Sequence, residues 1–186
     1  MVIVIGISGA SGAIYGLRLL AQLREQRAEI HLILSRSGEK TLFLETGKSA
    51  PEVRRLADCS YPVEDISCRL ASGSFRTDGM VIAPCSIHTM SAIASGVSSN
   101  LMVRAADVTL KERRKLILLV RESPFHLGHL RSMTALAEMG AIIAPPVPGF
   151  YTNPQSVMDI VDHSVERVMD LLGLPLPGAR RWGGPQ

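Results

Sequence analysis

Short apolar runs alternate with stretches of helical spacing along almost the whole chain. Val2-Ile3-Val4-Ile5 is a β-branched run of the kind that fills a buried central strand, and Ala13–Arg27 then repeats apolar residues along one helix face. Glu29–Leu34 reads as a second strand, and Ser35 opens a helical stretch through Glu45. Ser49, Pro51 and Glu52 mark another helix start, with a cap residue followed by proline in the first turn. Residues 59–78 show no period and end in Ala71-Ser72-Gly73-Ser74. Met80–Ala83 is a buried strand that Pro84 is expected to stop. Ser86–Ala94 and Asn100–Lys111 have helical spacing, Leu116–Val120 is a strand, Leu127–Met139 a helix and Ala141–Ala144 a last strand. Pro154–Leu172 is a long amphipathic helix, followed by a Pro- and Gly-rich tail. Such alternation predicts an α/β fold, a parallel sheet with helices on both faces, and chemistry in the loops after the strands.

With 186 residues, of which 46% are hydrophobic, one domain with a proper core is expected, taken as residues 1–173 with the tail 174–186. Four Phe, three Tyr and one Trp leave the core mainly aliphatic. No apolar stretch reaches the roughly 18 residues of a membrane span, and the chain opens on a strand without a signal-peptide layout, so a soluble cytoplasmic protein is expected. Cys59, Cys68 and Cys85 are odd in number and without a C-x-x-C pair, which fits a reducing compartment better than disulfides or zinc. The net charge of +3 is modest, and the basic cluster Lys111–Lys115 has no interleaved aromatics, so nucleic acid is not the expected partner.

Four loops after strands hold the candidate chemistry. Gly6-Ile7-Ser8-Gly9-Ala10-Ser11-Gly12 joins a strand to a helix with three glycines and two serines, a place where backbone N–H groups can meet a phosphate. It is neither a Walker loop nor the G-x-G-x-x-G dinucleotide fingerprint, and a ligand-free tight turn is the competing reading. Ser35 follows the second strand where a nicotinamide enzyme of this class usually carries an acid. Pro84-Cys85-Ser86-Ile87-His88-Thr89 makes a second helix start, with Cys85 read as a packed apolar residue more readily than as a nucleophile. Arg121-Glu122-Ser123-Pro124 offers an Arg-Glu pair that is more readily read as a salt bridge than as a catalytic dyad. His126 and His129 are too few ligands for zinc. Arg104 and Lys111 share a helix face, and Arg104 lies in an apolar setting that demands an anionic partner. These isolated cations, without an acid-rich magnesium motif, point to an organic phosphate held without metal.

The strings G-I-S-G-A-S-G-A-I-Y-G, P-C-S-I-H-T, R-A-A-D-V-T-L-K-E-R-R, L-L-V-R-E-S-P-F-H-L-G-H-L and P-P-V-P-G-F-Y, with Arg-Trp near the end, resemble the flavin prenyltransferases of the UbiX/Pad type over essentially the whole chain. Their arrangement is closer to the bacterial ubiquinone-pathway members, and one departure is Gly149, where many members have alanine. The resemblance implies a flavodoxin-like Rossmann fold in a trimer-based dodecamer, on which the tail could dock against a neighbouring subunit. It implies reduced FMN as prenyl acceptor and dimethylallyl monophosphate as donor. The C5 unit joins flavin N5 and C6, and the product serves a UbiD-type decarboxylase. Carried over by position, Gly9, Ala10, Ser11, Ser35, Ser86, Ile87, His88, Thr89 and Arg121 would bind FMN. Lys111, Tyr151 and Arg167 would hold the donor phosphate, with Arg104 and Trp182 completing the pocket from a neighbouring subunit. Ser11, Glu45, Glu122, Arg104 and Lys111 would carry catalysis, with no metal ligand.

Two other classes remain on the sequence: an FMN-dependent cysteine decarboxylase of the same fold, and a non-catalytic flavodoxin-like carrier. P-C-S-I-H-T does not resemble the substrate motif of the first, and the second has no use for Arg104, Lys111 and Arg167. A short-chain reductase is excluded, because no tyrosine is followed by lysine as Y-x-x-x-K.

Overall fold

The computed structural model describes residues 1–179. Six parallel strands run β1 (Val2–Ile7), β2 (Glu29–Leu34), β3 (Cys59–Pro62), β4 (Gly79–Cys85), β5 (Lys115–Val120) and β6 (Ile142–Ile143), in the spatial order β3-β2-β1-β4-β5-β6. Seven helices cover them: α1 (Ala13–Glu25), α2 (Arg36–Thr46), α3 (Ala50–Arg54), α4 (Ile87–Ala94), α5 (Leu101–Lys111), α6 (Leu127–Glu138) and α7 (Val157–Leu172). Single 3-10 turns occur at Arg69–Ala71 and Phe150–Thr152. Among the described residues no helix is long and apolar enough to cross a membrane.

The four central strands β2, β1, β4 and β5 are nearly all apolar because both faces of the sheet are buried there. Ile3, Ile5 and Ile7 pack with Leu32 and Leu34 under α1 and α7, whereas Val4, Ile33, Met80 and Ile82 face α4 and α5. Fully burying such an aliphatic side chain contributes about 1.5–3 kcal/mol, and there are enough of them to hold the fold with few aromatics. One polar group interrupts the second face. His31 is fully buried, yet both ring nitrogens are satisfied, by the Tyr61 hydroxyl and the Glu29 carboxylate at 2.9 Å each.

Four expectations are corrected. Residues 59–78 are not wholly irregular, since Cys59–Pro62 add a short edge strand beside β2. Pro84 does not stop β4. Pairing of β4 with β1 ends at Ile82, and its register against β5 shifts between Ile82 and Cys85, so the residue without an N–H falls in a bulge. The last strand shortens to Ile142–Ile143. The final helix starts at Val157, because Ser156 and Asp159 close a capping box there.

The strand order reverses between β1 and β4. Ligands of open α/β sheets bind at that point, outside the carboxyl ends of the strands.

Candidate functional site

A cleft of about 600 Å³ opens at this reversal, a size in the usual range for small-molecule sites. Gly9, Ser35, Ser86, His88 and Thr89 line it, all expected from the sequence, together with Arg36, Ser37, Val63, Glu64, Asn100 and Met102. Two helix starts face it. Ser35 caps α2 by accepting from the Gly38 N–H at 2.9 Å, and Ser86 caps α4 by accepting from Thr89 at 3.2 Å. Helix N-termini with hydroxyl caps carry the partial positive charge that favours an anion.

The loops are held by close contacts. A Cβ built on Gly9 would lie 2.4 Å from that of Ser37, so only glycine allows the first two loops to approach this far. Ser8, 1% exposed, spans the other gap: its Oγ donates to the Pro84 carbonyl at 2.8 Å and accepts from the Ser86 N–H at 2.7 Å. Sequence reading passed over Ser8 as one more serine in a glycine loop. Only the tertiary contact distinguishes it from Ser11.

A second group gathers around α1. The Glu45 carboxylate accepts from the Gly12 N–H at 2.9 Å and the Ala13 N–H at 2.9 Å, with Gly12 in the left-handed region at φ 101. The start of α1, expected to receive a phosphate, is therefore already neutralised by Glu45. Burial pushes this carboxyl up, but the Ser11 hydroxyl, the two N–H groups and the Arg121 charge outweigh it and hold Glu45 below the usual carboxylate range. Arg121 also acts on Tyr15, whose phenol is raised by burial against a hydrogen bond from Ser164 of α7. The Arg121 charge therefore acts on both Glu45 and Tyr15, and the Ser11 hydroxyl on Glu45. Glu122 accepts from the Ser123 N–H at 2.9 Å, and among the described residues no ion pair joins it to Arg121.

The remaining cations do not converge within one chain. Arg104 finds the anion it needs in its own helix, Asp107 at 2.6 Å, and donates to the Ala71 carbonyl at 3.2 Å. Lys111 is paired with Glu112. Both sit on α5, across the sheet from α7, where Arg167 pairs with Asp170 at 3.1 Å. Tyr151 hydrogen-bonds His163 of α7 at 3.0 Å. Trp182 lies outside the described residues.

Cys85 is fully buried, and burial pushes its thiol up to about 12. It is the packed apolar residue that the sequence suggested. Ala10 follows Gly9 on the first loop, and Ile87 is the first residue of α4, next to its cap Ser86.

Comparison with known proteins places this geometry. A family model described as Flavoprotein matches residues 1–169. The flavin prenyltransferase UbiX of Escherichia coli K12 is 53% identical over 185 residues, covering 98% of each chain. Among solved structures, a dodecameric FMN-dependent UbiX-like decarboxylase from Escherichia coli O157:H7 is similar at TM-score 0.97 and 48% identity, over 99% of this chain and all of that one. AnUbiX (PadA1), solved with FMN and dimethylallyl pyrophosphate, is similar at TM-score 0.97 and 43% identity, over all of this chain and 98% of that one.

Proposed function

The chain belongs to the flavoprotein family and, within it, to the UbiX-type flavin prenyltransferases, and on that premise we propose that it joins the dimethylallyl group of dimethylallyl monophosphate to N5 and C6 of reduced FMN. The observation that carries this reading is the cleft where β1 and β4 part, lined by Gly9, Ser35, Ser86, His88 and Thr89. Its two capped helix starts suit the phosphate of FMN, and Gly9 lets the loops close against the flavin. Arg121, whose charge acts on Glu45 and Tyr15, would lie along the flavin's other side.

Cleavage of the allylic C–O bond leaves negative charge on phosphate and positive charge on the C5 unit. Fixed cations stabilise the first without reorganising, and the face of reduced flavin receives the second. Tyr151 and Arg167 would supply one side of the phosphate pocket. Arg104 and Lys111 lie across the sheet and would reach the same pocket from a neighbouring subunit, in a dodecamer like that of the similar bacterial protein. Closing the ring onto C6 needs one proton delivered to the alkene of the transferred C5 unit and one removed from C6, so a group that gives the first and takes the second is required. Glu122, not ion-paired with Arg121, or the departing phosphate would carry that proton from one site to the other. Ser11 and Glu45 would hold the N5 region and exclude water, which would quench an allylic cation. The product would serve a UbiD-type decarboxylase in the cytoplasm.

The test is anaerobic incubation of the protein with reduced FMN and dimethylallyl monophosphate, followed by mass spectrometry of the extracted flavin. The expected product carries one added C5 unit and forms equally well in EDTA. Unmodified FMN would overturn the activity, and an absolute need for magnesium would overturn the metal-free phosphate pocket.

A further inference from the structure

Arg36 and Glu64 form an ion pair on the wall of the cleft where β1 and β4 part. Arg36 is the first residue of α2, directly after the cap Ser35, and Glu64 lies two residues past the end of β3. The position of the cation is unusual. A positive side chain is disfavoured at the start of a helix, where backbone N–H groups already carry partial positive charge. The acid in that first turn, Glu39, is engaged by Arg54. Compensation for Arg36 comes from outside the helix, from Glu64. The segment that carries Glu64 is tied down, because the Val63 carbonyl accepts from the Leu101 N–H at 2.8 Å at the start of α5. The pair itself is loose. The Arg36 side chain is 79% exposed and that of Glu64 54%, so water and salt screen their attraction.

We propose that Arg36 is a ligand of the FMN phosphate, and that Glu64 is the competitor which the phosphate displaces. The assignment rests on the reading above, in which FMN lies in this cleft with its phosphate at the two capped helix starts. A phosphate monoester carries more negative charge than one carboxylate and presents three acceptor oxygens. A guanidinium can donate two parallel N–H bonds to them. With the phosphate in place, Arg36 has its anion at the helix start, where the local field favours one. Riboflavin lacks the phosphate and has nothing to offer in exchange for Glu64. The pair therefore makes the cleft select FMN by its charged end. Glu64 also tempers the hold. Its carboxylate takes Arg36 back as the phosphate leaves, which suits a flavin that enters as substrate and departs as product.

Both affinities can be read without turnover, by fluorescence titration of oxidised FMN and of riboflavin at one ionic strength. Arg36→Gln should weaken FMN about five- to tenfold, the scale of one hydrogen bond to a charged group, and leave riboflavin within about twofold. Arg36→Lys keeps the charge and should recover much of the loss. Glu64→Gln should do the opposite, tightening FMN about two- to fivefold, the scale of an exposed ion pair, with riboflavin again unmoved. In the double variant that gain should disappear, because the competitor has no cation left to hold. Both side chains are exposed, so these replacements spare the core. The proposal is overturned if Arg36→Gln binds FMN like wild type or loses FMN and riboflavin in equal measure. It is also overturned if Glu64→Gln weakens FMN, or tightens it equally with and without Arg36. Wild-type protein that prefers FMN to riboflavin but leaves reduced FMN unmodified in the presence of donor would sink the proposed activity, while these affinities would still decide the role of Arg36.

Discussion

Ser8 shows how one buried hydroxyl fixes a binding surface assembled from separate loops. Its Oγ donates to the carbonyl of Pro84 and accepts from the N–H of Ser86, joining the ends of β1 and β4 at the point where they diverge. Pro84 keeps a second donor in the Ser8 N–H at 3.2 Å, but the Ser86 N–H has no substitute. Ser8→Ala should therefore cost about 1–3 kcal/mol, the penalty of an unsatisfied buried donor, seen as a lower urea midpoint and weaker FMN binding. Ser8→Thr keeps the hydroxyl and should restore much of both. An unchanged midpoint and FMN affinity in Ser8→Ala would mean that the two loops are held by other contacts.

At the level of elements, the join between α1 and α2 turns on Glu45, a residue of the second helix that caps the first. Its carboxyl is depressed in the folded state, so its contribution is present above the unfolded value, about 4.3, and is lost as the pH falls through the folded value. Glu45→Gln should flatten the decline of stability with acidification between about pH 5 and pH 3. Urea midpoints across that window measure it, and an identical decline in both proteins would remove Glu45 as the source. The elements themselves were largely legible. Ser35, Ser86, Asn100 and the Ser49-Pro51-Glu52 start announce their helices by local chemistry that the structure retains. What escaped notice depends on partners distant in sequence. Cys59–Pro62 is too short and too polar to read as a strand until β2 is beside it, and Pro84 belongs in a strand only because the ladder bulges there. The glycine loop was legible as the turn that puts Gly9 on the cleft, but not the capture of its helix start by Glu45. Nothing in a local pattern pairs Tyr151 with His163.

For the whole molecule, the decisive fact is the division of the cations between the two faces of the sheet. Arg104 and Lys111 ride on α5, and Arg167 rides on α7. If donor pockets form between subunits as proposed, Lys111→Ala and Arg167→Ala should each be nearly inactive alone. Unfolding and co-refolding the two together should return part of the activity, because some interfaces then receive one intact half from each parent. Mixtures no more active than their components would show that each pocket belongs to a single chain. The same architecture bears on a hazard of the chemistry itself. An allylic carbon that has shed its phosphate will alkylate any good nucleophile nearby, and a thiolate is the best a protein carries. Cys85 ends β4 next to Ser86, which lines the cleft, yet its sulfur lies in the packed layer against β4 and burial keeps the thiol protonated far above neutral pH. Sunk there at the end of β4, this cysteine is withheld as a thiolate, and a flavin bound in the cleft as proposed would meet the allylic carbon without that competitor.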